Sequence, residues 1–213
     1  MILSIKNLLP GYFEQQRTTT SEIWGKDIVF NKGELVKIVA PSGSGKTSLM
    51  HFLYGMRQQY KGEVLYDTKP LKSFTPEDFG LVRTNQVSIV FQDMKLLPES
   101  TVLENLEIKR QLAPFHDGDK VLEMARRLGL GDKLSSRGKT CSYGEQQRVA
   151  IIRSLLQPFD YLLLDEPFSH LDNNNAEKAM ELIIEEAKLR NATVILADLE
   201  KIDFYPYTSI YYL

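Results

Sequence analysis

Apolar and polar residues alternate at the start of the chain, Met1-Ile2-Leu3-Ser4-Ile5-Lys6, with the two-residue period of a half-buried strand. Residues 15–21 are polar and Thr-rich, which predicts a loop between two strands. Residues 35–40 read L-V-K-I-V-A, a short buried strand that runs into Pro41-Ser42-Gly43-Ser44-Gly45. A helical pattern follows, with Leu49, Phe52 and Leu53 on one side. Further strands are predicted over 87–91, 161–164, 193–197 and 209–213. Helical stripes lie between them. Thr101 and Glu104 have capping-box spacing ahead of Leu103 and Leu106. Val121, Met124, Ala125 and Leu128 form a stripe that ends at Gly129, and Ala176, Ala179, Met180, Ile183 and Ala187 form one ending near Asn191. Strands alternating with helices imply an α/β domain with a largely parallel sheet. Residues 94–157 are helix-rich and read as a helical lobe.

Composition narrows the class. At 213 residues and roughly 150 residues per domain, the chain predicts one domain, or one with an inserted lobe. Counts of 26 Lys+Arg against 28 Asp+Glu leave a net charge of −2, which argues against polyanion binding through bulk charge. The single Cys141 has no internal partner, which suits a reducing compartment. No apolar run exceeds four residues, whereas a membrane-spanning helix needs about 20. The start carries no signal-peptide pattern. These features predict a soluble, cytoplasmic protein whose membrane role, if any, runs through a partner.

Three motifs carry candidate chemistry. In Pro41-Ser42-Gly43-Ser44-Gly45-Lys46-Thr47, a Gly-rich turn between strand and helix lets unpaired backbone N–H groups converge on phosphate oxygens. Lys46 would neutralise the terminal phosphates, and Thr47 offers a hydroxyl to Mg²⁺. The pattern usually opens with Gly, and this chain has Ala40 there. In Tyr161-Leu162-Leu163-Leu164-Asp165-Glu166, an apolar strand delivers two carboxylates to the carboxyl edge of the sheet, where open α/β folds bind ligands. Asp165 can hold the metal through its water shell, and Glu166 can take a proton from an attacking water. The third motif, Ser142-Tyr143-Gly144-Glu145-Gln146-Gln147-Arg148, opens a helix with Val149, Ile152 and Leu156 along one face.

With these motifs in this order, the chain resembles ATP-binding cassette (ABC) ATPases over nearly its whole length. The resemblance implies a P-loop NTPase core with a mainly parallel sheet over about 1–93 and 158–213. It also implies an N-terminal antiparallel β subdomain and an inserted α-helical subdomain over about 94–157. It implies ATP and Mg²⁺ as ligands, with Lys46, Gln92 and Glu166 in catalytic roles and Thr47, Gln92 and Asp165 around the metal. Nucleotide contacts would come from Tyr12, Pro41, Ser42, Gly43, Ser44, Gly45, Lys46, Thr47 and Ser48. Across a head-to-tail dimer they would come from Ser142, Gly144, Glu145 and Asp172. Tyr12 matches the aromatic that stacks on adenine, with Trp24 and Phe13 as alternatives.

The partners implied are a second copy or a paralogous ABC ATPase subunit and a separate membrane permease subunit, which would hold the chain at the inner face of the cell membrane; nucleic acid is not expected. The segment Phe79-Gly80-Leu81-Val82-Arg83 and the run Lys95-Leu96-Leu97-Pro98 look like the branch containing lipoprotein-releasing, macrolide-exporting and cell-division ATPases. There, the region beyond Gln92 grips a cytoplasmic helix of the membrane subunit. Met94, Leu96 and Leu97 could instead only pack the lobe.

Several positions depart from the family. Cys141 and Tyr143 replace Leu and the first Gly of the signature, and Cys141 reads as a small buried hydrophobe. The last strand runs into Leu199 where the family has a histidine that hydrogen-bonds the γ-phosphate. His51, His116 and His170 are scattered and suggest no metal cluster, and the charge run over 177–190 reads as a solvated helix face. Two expectations therefore compete: an ATPase subunit driving a membrane complex by dimer closure, and a nucleotide-gated binding module with impaired hydrolysis.

Overall fold

In the computed structural model, which describes residues 1–13, 20–199 and 205–213, two sheets and six α-helices enclose two apolar clusters. The chain begins β1 (Leu3–Pro10), β2 (Ile28–Phe30), β3 (Leu35–Val39), α1 (Lys46–Leu53), β4 (Tyr60–Tyr66), β5 (Lys69–Pro70), α2 (Pro76–Asn85) and β6 (Val87–Val90). It continues α3 (Val102–Leu112), α4 (Gly118–Arg127), α5 (Tyr143–Leu155), β7 (Tyr161–Asp165), α6 (Asn173–Arg190), β8 (Thr193–Asp198) and β9 (Ser209–Tyr212). Most of the loop predicted over 15–21 lies outside the described residues.

Five strands pair in parallel in the order β6-β7-β8-β3-β9, and the other four form an antiparallel sheet, β2-β1-β4-β5. The parallel strands are apolar runs because helices and the second sheet cover their faces. Every residue of Tyr161–Asp165 is buried, for example. One apolar cluster, with Leu3, Trp24, Ile38, Phe52 and Leu163, fills the space between the two sheets and α1. The other, with Leu106, Met124, Ile152, Leu164 and Ile183, joins the opposite sheet face to α3–α6. Each fully buried aliphatic side chain contributes roughly 1.5–3 kcal/mol. This is the α/β class expected, with a parallel sheet, an antiparallel sheet and helices.

Helix ends follow local chemistry. Thr101 and Glu104 form the predicted capping box of α3, and Ser142 with Glu145 forms one at α5. Gly129 (φ 68°) follows α4, and Asn191 (φ 50°) terminates α6 in the left-handed conformation. The charge run over 177–190 is a solvated face only in part. Glu186 and Arg190 pack inward, pair with each other, and meet His116 at 2.6 Å from the Glu186 carboxylate. The side of α6 that faces α5 and the α3–α4 loop cannot stay wet.

Candidate nucleotide site

The carboxyl ends of four neighbouring strands deliver the site: β3 leads into the Gly-rich turn, β6 into Gln92, β7 into Glu166 and β8 into Leu199. In the turn, φ is positive only at Gly43 (79°) and Gly45 (102°), so Ala40 sits in ordinary backbone and its methyl is buried. A Cβ on Gly45 would lie 3.1 Å from the Trp24 ring and 3.3 Å from Phe13. Glycine is therefore required there twice, by conformation and by space. Trp24, 1% exposed, donates its indole N–H to the Ser44 carbonyl at 3.2 Å. The Ser44 hydroxyl closes the turn on the Pro41 carbonyl at 2.8 Å.

Lys46, buried at the first position of α1, spends its three ammonium protons locally. It reaches the Ala40 and Pro41 carbonyls at 3.0 and 3.2 Å and Glu166 Oε1 at 3.2 Å. Gln92 joins the other two groups: its amide oxygen accepts from the Thr47 hydroxyl at 3.3 Å, and its amide nitrogen donates to Glu166 Oε2 at 3.1 Å. Lys46, Thr47, Gln92 and Glu166 thus surround one cavity of about 270 Å³. Tyr12, Ser42, Gly43, Gly45 and Ser48 complete its lining. A larger cavity of about 670 Å³ opens beside Gly33, Asn191 and Tyr205, away from every one of these groups.

Of the three candidate aromatics, Tyr12 alone lines the cavity. It is 62% exposed and meets the Ser48 hydroxyl at 2.6 Å. Phe13 packs edge-on between Tyr12 and Trp24, with ring centroids 5.2 and 5.6 Å away, so both act as its support.

Asp165 is the electrostatic anomaly. Neither carboxylate oxygen makes a well-formed hydrogen bond, and both are buried. Burial pushes its pKa from 3.8 up to about 6, with the Glu166 charge adding to the rise and the Thr47 hydroxyl and Lys46 opposing it. An unpaired buried carboxylate beside a threonine hydroxyl and a glutamine amide is a donor set that fits a divalent cation. Next to it, Glu166 is held at φ 49°, a conformation that costs a non-glycine residue on the order of 1–3 kcal/mol. Its N–H donates to the Ala197 carbonyl at 2.9 Å and its carbonyl accepts from Gln147 at 3.1 Å. The β8 strand and α5 together fix the strained backbone of Glu166.

The Ser142 turn lies elsewhere on the surface. Ser142, Gly144, Glu145 and Asp172 do not line the cavity around Lys46 in their own chain. Ser142 caps α5, its hydroxyl accepting from the Glu145 N–H at 3.2 Å, and Asp172 caps α6. Backbone hydrogen bonding to Ser142 holds the Glu145 carboxyl low, and that to Asn175 does the same for Asp172. A Cβ on Gly144 would meet the His170 carbonyl at 2.9 Å, so the turn and the 169–172 loop touch directly. Tyr143, 68% exposed, stacks on His170 with centroids 5.4 Å apart. The sequence pattern of ABC transporters matches residues 26–169. The chain belongs to the ABC transporter family.

Relatives of this ABC chain agree. The lipoprotein-releasing system ATP-binding protein LolD of Legionella pneumophila is 33% identical over 92% of this chain and 87% of its own length. The macrolide export ATP-binding/permease protein MacB of Nitrosomonas europaea is 29% identical over 92% of this chain but only 30% of its own. Among solved structures, a dimeric post-hydrolysis ATP-binding cassette bound to ADP and Pi superposes with TM-score 0.79 and 26% identity, covering 93% of this chain and 88% of that one. The P-loop NTPase fold and the family expected from the motifs are those found.

Two features of this ABC chain escape a linear reading. Gln147, buried in α5, accepts the His170 N–H at 2.9 Å while donating to Glu166 and to Ser169. It therefore ties the Ser142 helix to the carboxylate loop. Its only sequence signal is a second glutamine in a polar run. Asp198 accepts from the Leu199 N–H at 2.7 Å and pairs with buried Lys37 at 3.4 Å. It is thus engaged beside Leu199, which is 47% exposed and brings no polar side chain to the site.

Proposed function

We propose that the chain is the ATP-binding and ATP-hydrolysing subunit of a membrane transport or mechanotransmission complex, working by ATP-dependent closure of a cassette dimer. The convergence of Lys46, Thr47, Gln92 and Glu166 around one cavity, with the buried Asp165 carboxylate beside them at the end of β7, carries this reading. The turn amides and Lys46 bind the triphosphate, and Tyr12 receives the base. Thr47, Gln92 and Asp165 would hold Mg²⁺, which would supply charge neutralisation on the phosphates. Gln92 orients Glu166, whose carboxylate takes the proton from the attacking water. Ser142, Gly144, Glu145 and Asp172 face outward to serve the site of a second copy or a paralogous subunit. A groove beside Gln92, lined by Tyr54, Phe91, Leu97, Ile108 and Leu112, seats a cytoplasmic helix of a separate membrane subunit. This docking places the chain at the inner face of the membrane; among the described residues no helix is long and apolar enough to cross it.

Leu199 favours a second reading, nucleotide-gated binding with impaired hydrolysis. Losing a positioned hydrogen-bonding group at a water-poor phosphate site typically costs ~10²–10³ in rate, whereas Lys46 and the turn amides hold the ground-state phosphates regardless. Near-normal ATP affinity with weak turnover is expected, and Leu199→His should raise steady-state phosphate release. Robust wild-type turnover that Leu199→His leaves unchanged would exclude impairment and give the histidine's part to another group, His170 first.

A further inference from the structure

The groove beside Gln92 has about 330 Å³ of space. Ile108 and Leu112, one helical turn apart on α3, expose apolar side chains to it, and Tyr54, Ile89 and Phe91 lie behind them. Around this apolar bed stand cations. Lys95 has its own carboxylate, Asp93, at 2.6 Å. Lys109 and Arg153 in the lining, and Arg83 just behind, have none: among the described residues no ion pair reaches any of the three.

Their partners are neutral. Lys109 donates to the Arg83 carbonyl at 3.3 Å, and Arg153 to the Lys95 and Met94 carbonyls at 2.8 and 2.6 Å. Arg83 donates to the Gly55 carbonyl at 3.0 Å and stacks over Tyr54, 5.1 Å from its centroid. Burial, then the charges of Arg153 and Arg83, push Lys109 down to about 8. Carbonyl dipoles satisfy hydrogen bonds but leave net charge, and three cations pressed together at the edge of an apolar groove repel one another. A carboxylate placed among them would gain from all three at once.

We infer that the groove receives a helical segment whose apolar face carries one carboxylate, seated against Lys109 and Arg153. This rests on the proposal that a membrane subunit docks here, and specifies the chemistry that it must present. The apolar bed supplies area for a helix laid in the groove, and the cation cluster supplies register, because only one position along the helix can meet it.

A displayed library of amphipathic helices of about 16 residues, randomised at one central position of the apolar face, tests this on the intact chain. Leu112→Asp identifies the clones that use the groove. Among them, Asp and Glu should outnumber Lys and Arg about tenfold at ~50 mM salt and much less at ~300 mM. The preference should fall about threefold with Lys109→Met, since Arg153 and Arg83 remain, and further with Lys109→Glu, variants whose thermal melts confirm folding. Groove-dependent clones without an acidic preference, or a preference that Lys109→Met leaves intact, would overturn the inference while leaving docking itself standing. A library yielding no groove-dependent clones would overturn both.

Discussion

Replacing Asp165 by asparagine should stabilise the nucleotide-free protein at neutral pH, against the usual effect of substituting a buried polar residue. In the folded chain this carboxyl titrates near 6 instead of 3.8, chiefly because burial disfavours its charge. A group whose folded pKa is raised stabilises the fold fully below the unfolded value and loses that contribution as pH rises through the folded one. From 3.8 to about 6, the ionised group costs the fold about 3 kcal/mol at pH 7.5. An asparagine removes that charge but leaves an amide short of partners, which takes back about 1–2 kcal/mol, so the net gain should be about 1–2 kcal/mol. Urea unfolding with a chelator present, at pH 7.5, 6, 5 and 4, reads it directly. The Asp165→Asn variant should unfold later than the wild type at pH 7.5, and the gap should close as pH falls from about 7 toward 4. The same variant should lose the extra stabilisation that MgATP gives the wild type. Equal or lower stability of Asp165→Asn at pH 7.5, or a gain independent of pH, would refute the reasoning that burying this charge destabilises the fold.

Two other substitutions probe the site. Lys46→Ala should weaken ATP binding on the order of 10²-fold by calorimetry, because the buried phosphate charge loses its counterion. It should also lower stability by about 1–3 kcal/mol in urea, since Glu166 loses the cation at 3.2 Å; unchanged affinity would sink the phosphate-loop assignment. Gly144→Ala drives a methyl to 2.9 Å from the His170 carbonyl, a backbone atom that cannot swing aside. Helix propensity returns about 1 kcal/mol, so thermal unfolding should show a net loss of about 1 kcal/mol, and a more stable variant would argue against contact between the turn and the loop.

The parallel sheet was legible because β3, β7 and β8 are short apolar runs, and α3 through its capping box. What escaped had no pattern of its own. Helix α2 has a capping box, Thr75 with Asp78, and Pro76 at its first position, but none of its side chains is fully buried. Phe79 and Val82, which pack partly against the core, are too short a stripe to mark it. Strand β4 includes Gly62, where a Cβ would lie 2.2 Å from the Asn7 carbonyl. That glycine weakens the strand pattern locally, and its reason is β1, more than fifty residues away. At the site, contiguous motifs named the groups on each loop, since backbone and side chain there act as one unit. Contacts made across the fold were not readable: Gln147 onto Glu166, Asp198 onto Lys37, and Trp24 beneath the Gly-rich turn. Of Met94, Leu96 and Leu97, the first two pack the core, while Leu97 is exposed at the groove.

Steady-state phosphate release by the wild type and by Glu166→Gln, with ATP affinity measured on the same preparations, tests the central claim most directly. Glu166 is held by Lys46, Gln92 and the strained backbone at the end of β7. Its removal as a base should therefore lower turnover by at least ~10²-fold while ATP affinity stays within about twofold. Equal turnover in the two proteins would contradict the account and place hydrolysis, if the chain performs it, on another residue.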